Sequence, residues 1–135
     1  MVTRYLLDTE TCIYLRRRRP ESVIQRFAKL EMGEAAISVV TFGELSYGVE
    51  KNAQSSVSLE RLVELTTLLA VLPLTSEAAM AYGVIRAELE RSGRLIGSND
   101  LWIAAHAKAE GLTLVTNNQK EFRRVRGLKL QNWVG

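Results

Sequence analysis

The chain has 135 residues, enough for one compact domain over 1–135 with a core of its own. Hydrophobic residues make up 47% and charged residues 24%, with a formal net charge of +3, ordinary values for a soluble globular protein. The single cysteine, Cys12, excludes an intrachain disulfide and no apolar run is long enough to span a bilayer, so a cytoplasmic protein with no membrane association is expected.

Arg4 to Leu7 reads as a short buried strand, and Thr9 to Arg16 as the helix that follows it. Pro20 opens a second helix through Glu31, since proline is tolerated in a first turn, and Gly33 ends it. Ala35 to Val40 form a β-rich run. Thr41-Phe42-Gly43-Glu44 has the T-x-x-E spacing of a capping box, which predicts a helix from about Thr41 to Lys51. A polar linker over Asn52 to Ser58 leads into an apolar helix carrying Leu59, Leu62, Val63, Leu65, Leu68 and Leu69. Its apolar face is broad enough to serve both the core and a partner or second copy.

Val71 to Leu74 contains Pro73, which marks an edge strand or extended connection. Thr75 can cap a long helix over Glu77 to Ser92, ended by Gly93. Ser98 or Asn99 can cap the next one, through Glu110 and closed by Gly111. Leu112 to Thr116 and Leu128 to Gln131 complete the strands. Strands alternating with helices argue for βαβ units, a mostly parallel sheet and helices on both of its faces. The order of the strands does not follow from this pattern.

Asp8, Glu44 and Asp100 each sit where an apolar run gives way to a turn or helix, and Thr116-Asn117-Asn118 follows the strand at Leu114-Val115. In a parallel α/β fold the carboxyl ends of neighbouring strands share one edge, where ligand sites form. Each acid also has an ordinary explanation. Asp8 can be a helix N-cap, Glu44 the far member of the capping box, and Asp100 a dipole complement in a first turn. Together they say more. At about 5 Å, each pair of carboxylates repels by roughly 3 kcal/mol at an effective dielectric of about 20. A fold holding three of them must bind cations or keep some carboxyls protonated. Oxygen-only ligands favour magnesium or manganese, and no thiolate pair or His-rich spacing indicates zinc.

Two basic blocks, Arg16 to Arg19 and the group Lys120, Arg123, Arg124, Arg126 and Lys129, suit phosphate contact or, equally, solvated helix ends. His106, embedded in an Ala-rich helix, reads as a packed or surface residue rather than a nucleophile's partner. Ser98 lacks a G-x-S-x-G setting, and Gly93 and Gly97 form no phosphate-binding glycine motif.

The chain resembles PIN-domain ribonucleases, specifically the VapC-type toxins of type II toxin–antitoxin systems. The resemblance rests on Leu6-Leu7-Asp8-Thr9, on Ile37 to Thr41 leading into Glu44 to Gly48, on Ile96 to Asp100 with Ile103 to Ala107, and on Leu114 to Asn118 followed by Glu121-Phe122. It implies a three-layer α/β/α sandwich, a Mg2+-dependent endoribonuclease site (Mn2+ being the alternative ion), an RNA substrate with tRNA favoured, a VapB-type antitoxin and a homodimer. Asp8, Glu44 and Asp100 match the family's acidic metal ligands. Asn118 stands where many PIN domains carry a fourth acid, and its neutrality leaves Glu10 and Glu121 to compete for that charge. Thr116 is a candidate donor near the phosphate. Two other readings stay open: a catalytically silent PIN-like module that only binds RNA or protein, and a haloacid-dehalogenase-like phosphatase, whose D-x-D-x-T motif Asp8-Thr9-Glu10-Thr11 imitates around its first acid.

Overall fold

The computed structural model describes residues 2–52 and 55–135. Five strands, β1 (Tyr5–Leu7), β2 (Ala35–Ser38), β3 (Ala70–Leu72), β4 (Thr113–Val115) and β5 (Leu130–Gln131), form one sheet in the order β3-β2-β1-β4-β5. Every pairing is parallel. The chain builds outward from β1 through β2 to β3, then returns across the sheet to add β4 and β5 on the other side. The reversal leaves a crevice at the carboxyl ends of β1 and its two neighbours.

Seven helices complete the described structure: α1 (Thr9–Arg17), α2 (Glu21–Ala28), α3 (Val39–Glu50), α4 (Ser55–Leu68), α5 (Ser76–Arg91), α6 (Ser98–Glu110) and α7 (Gln119–Phe122). Side chains alternate across a strand. Tyr5, Leu7, Ile37 and Val115 therefore pack with α1 to α4, while Leu6 and Leu114 pack with α5, α6 and Phe122 on the opposite face. A sheet covered on both faces explains why its strands read as unbroken apolar runs. This is the expected α/β/α sandwich.

Several boundaries differ from expectation. Pro20 takes the N-cap position, and its helix ends at Ala28, so Gly33 (φ +94°) serves the turn into β2 instead. Residues 53 and 54 of the expected polar linker lie outside the described residues, and helix α4 begins at Ser55. Leu62, Leu65 and Leu69 enter the core, whereas Leu59 (52% exposed) and Val63 (56%) form a stripe facing solvent. Strand β3 is an edge strand, as Pro73 indicated. Thr75 caps α5 through Ala78 N–H at 3.1 Å, but α6 is preceded by Gly97, with no side-chain cap from Ser98 or Asn99.

The largest correction concerns Val39 and Val40. They form the first turn of α3 rather than the end of β2, because the Ser38 hydroxyl accepts the Val40 N–H at 3.1 Å and caps the helix there. Thr41 is then buried inside the helix and the capping box does not form. His106 is packed, fully buried on α6, with Nδ1 2.8 Å from Ser38 Oγ and Nε2 without a partner. An orphaned buried polar atom costs about 1–3 kcal/mol. Burial also holds the imidazole below its usual pKa.

Candidate metal centre

Asp8 follows the last residue of β1 directly, Glu44 lies on α3 beyond β2, and Asp100 lies in the first turn of α6. These three line one open cavity of about 280 Å³ together with Thr9, Glu10, Asn118 and Phe122. The structure thus brings the three expected acids, from three separate parts of the chain, to the carboxyl edge of the sheet. Among the described residues they are not drawn in as tightly as the ligands of one ion. Each is instead held by its own neighbours.

Asp8 does both jobs its sequence position allows. Its Oδ1 accepts the Thr11 N–H at 2.9 Å and caps α1, yet the residue also lines the cavity. Burial raises its pKa, and hydrogen bonds from Thr116 and Thr11 oppose that rise. Thr116 is fully buried just past β4, beside Asp8. Its Oγ1 also accepts the Asn118 N–H at 2.9 Å, which shapes the turn after the strand.

Glu44 is released from the capping role that its spacing suggested. It accepts a short hydrogen bond from Thr9 Oγ1 and another from Asn99 Nδ2 at 3.3 Å. Thr9 and Asn99 are site residues that sequence reasoning passed over. The available signal was their position beside Asp8 and Asp100, inside two of the four blocks.

Asp100 carries the strongest electrostatic signature. Burial, then Glu121, then Glu44 and Asp8, push its carboxyl from 3.8 up to about 6. Glu121, on α7, is the largest charged contributor to that rise. Asn118 Nδ2 in turn donates to Glu121 Oε2 at 2.6 Å. The neutral fourth corner is thus occupied by an amide that aims a carboxylate three residues on. Glu10 lines the cavity itself. It is exposed, and its Oε1 accepts Tyr14 Oη at 2.6 Å and lies 3.5 Å from Asn117 Nδ2 at the rim.

Replacing Glu121 with Gln should therefore lower the Asp100 titration midpoint in the metal-free protein, as followed by carbon NMR of the side-chain carboxyls. The fall should be partial, because burial is the larger cause. Glu10→Gln should leave the Asp100 midpoint in place.

A family model for the PIN domain matches residues 5–128. The chain belongs to the PIN-domain family. It is 41% identical over 131 residues to Ribonuclease VapC2 of Haemophilus influenzae, with 97% of this chain and 98% of the relative covered. It is 42% identical over 130 residues to the tRNA(fMet)-specific endonuclease VapC of Shigella flexneri, covering 96% and 98%. Among solved structures, DNA-bound VapBC from Salmonella typhimurium superimposes with a TM-score of 0.92 at 39% identity, covering 97% of this chain and 98% of that one. The resemblance read from four short sequence blocks is borne out over residues 5–128, and the phosphatase reading falls with it.

The two basic blocks of this PIN domain differ in character. Arg16 to Arg19 and Arg61 line a groove of about 800 Å³ together with Phe27 and Glu64. Arg16 and Arg17 also occupy the last turn of α1, so the helix-end explanation holds as well. In the C-terminal block, Arg124 donates to the Leu95 carbonyl at 3.2 Å and Lys129 to that of Gly111 at 3.1 Å. Those two cations are committed to the fold. No helix among the described residues is long and apolar enough to cross a membrane.

Proposed function

We infer that the protein is a VapC-type endoribonuclease toxin that cleaves RNA through the acidic cavity and depends on Mg2+, with Mn2+ as an alternative ion. The observation carrying this reading is a cavity at the carboxyl edge lined by Asp8, Glu44 and Asp100, with Asp100 held up to about 6 by burial and its acidic neighbours. Such a site gains most from a cation, and its oxygen-only donors suit a hard one. When bound, the ion would lower the pKa of a coordinated water and offset charge at the scissile phosphate.

The chain's own residues do the rest. Thr11 and Thr116 orient Asp8, while Thr9 and Asn99 orient Glu44. Burial and the neighbouring Glu121 hold the Asp100 carboxyl up, and a bound cation would favour its ionised form. The arginine groove begins at the far end of α1, a helix about 13 Å long at 1.5 Å per residue, and is suited to a phosphate backbone leading away from the cavity. Both apolar clusters of the described residues share the one sheet, which supports a single domain.

By likeness to the Shigella protein, tRNA is the favoured substrate. By likeness to the VapBC structures, a VapB-type antitoxin is the partner that blocks the site in the cytoplasm. A homodimer accounts for apolar side chains left on α3 and α5, where Tyr47 is 65%, Met80 73% and Val84 57% exposed. Light scattering at micromolar concentration should report twice the chain mass; a stable monomer counts against the dimer.

The test is cleavage of purified tRNA with sequencing of the new ends. Cleavage at defined positions in Mg2+, lost with EDTA and restored by Mg2+ or Mn2+, is expected. Divalent ion binding without cleavage of any RNA would instead favour a silent binding module.

A further inference from the structure

We propose that Ser38 and His106 form a positioning pair that sets the gap between the helices carrying Glu44 and Asp100, and thereby the selectivity of the cavity for Mg2+ over larger cations. The inference rests on the nuclease reading above and adds to it a residue pair lying outside the cavity. Ser38 ends β2 and caps α3, and both it and His106 are completely buried. Ser38 Oγ and His106 Nδ1 are 2.8 Å apart.

A second link joins the same helices at the cavity itself, Asn99 Nδ2 to Glu44 Oε2 at 3.3 Å. Residues 38 and 44 face residues 106 and 99, so α3 and α6 run antiparallel between two rungs. The rungs are about 9 Å apart along α3 and about 10 Å along α6, at 1.5 Å per residue. The spacing therefore matches on both helices. The outer rung is solvent-exposed and weak, and the inner one is dry. Helix α6 packs chiefly against α5 and only slightly against α3. Val40 on α3 also packs against the apolar cluster that contains α6, and the inner rung is the buried polar link between the two helices.

The chemistry of His106 supports a specific bond rather than filler. Nε2 is the one buried side-chain polar atom without a partner among the described residues. An apolar side chain would fill that space without orphaning a polar atom, so what the imidazole contributes is its bond to Ser38. Mg2+ demands near-ideal octahedral geometry at 2.0–2.1 Å, whereas Ca2+ accepts six to eight ligands in flexible arrangements. A small change in the Glu44–Asp100 gap should therefore weaken Mg2+ far more than Ca2+.

The experiment is calorimetric titration of Mg2+ and Ca2+ into wild type, His106→Leu and His106→Asn, well below each melting temperature, alongside RNA cleavage. Asn can place a polar atom where Nδ1 lies, and Leu cannot. His106→Leu should lose about 10-fold in Mg2+ affinity with Ca2+ affinity nearly unchanged, and His106→Asn should recover most of the loss. A uniform loss of stability would move neither the ratio nor the rescue. A folded His106→Leu with the wild-type Mg2+ to Ca2+ ratio, or an Asn variant no better than Leu, overturns the pair. Should the Leu variant fail to fold, Ser38→Ala reads the same ratio, and an unchanged ratio there overturns it equally. Wild type that binds no divalent ion and cleaves no RNA would sink the nuclease reading itself, an outcome distinct from an indifferent His106.

Discussion

Asp100→Asn should reduce RNA cleavage by about 10²–10³-fold, the loss seen when one preorganised electrostatic group is taken from a transition state. The protein should stay folded, because Asp100 makes no cap and lies in the first turn of α6, where asparagine is tolerated. Asp8→Asn should lose a similar factor for a cleaner reason. Asparagine caps a helix about as well as aspartate, so the bond to Thr11 survives and only the charge disappears. Asp8→Ala would remove the cap too, at about 1 kcal/mol. The assay is end-mapped cleavage by purified variants whose melting temperatures have been checked. Undiminished cleavage by folded Asp100→Asn would remove the acidic cavity from the reaction.

Without divalent ions, the protein should lose stability as pH rises from about 4 to about 6. The Asp100 carboxyl titrates near 3.8 in an unfolded chain and at about 6 in the fold. The folded state therefore holds the proton more tightly. That contribution is complete below the unfolded value and is lost as pH climbs through the folded one. Asp8 is raised as well and acts in the same direction. Because Asp100 is only partly buried, solvent screening limits its share to roughly 1 kcal/mol, or about 3 °C in melting temperature. Saturating Mg2+ should reverse the trend, since cation binding needs ionised carboxylates and stabilises the state that binds it. Melting curves from pH 4 to 8, in EDTA and in Mg2+, measure both slopes. If Asp100→Asn in EDTA follows the wild-type slope, Asp100 is not the group responsible.

The parts of the site that were legible share one property: they follow from short stretches of chain. Asp8 after an apolar run and Asp100 before a helical one announce themselves locally. Glu44 is instructive because two local readings competed. The T-x-x-E spacing favoured a cap at Thr41, and only the burial of Thr41 with the capping of α3 by Ser38 freed the carboxylate. Val39 and Val40 misled for a related reason. β-branched residues favour strands, yet here a serine hydroxyl and packing against the sheet turn the chain into a helix two residues early. Helix α7 escaped notice because four residues give too little periodicity to read.

Residue order by itself determined the alternation of strands and helices, the parallel sheet buried on both faces, and the placement of Asp8 and Asp100 at element ends. These depend on periodicity and on backbone bonding within a few residues. Only the tertiary structure decided the strand order β3-β2-β1-β4-β5 and brought Glu121 near Asp100. It alone also placed His106 against Ser38, 68 residues away. Such pairings are set by which faces pack together, and residues far apart in a chain carry no local mark of the neighbours that packing will give them.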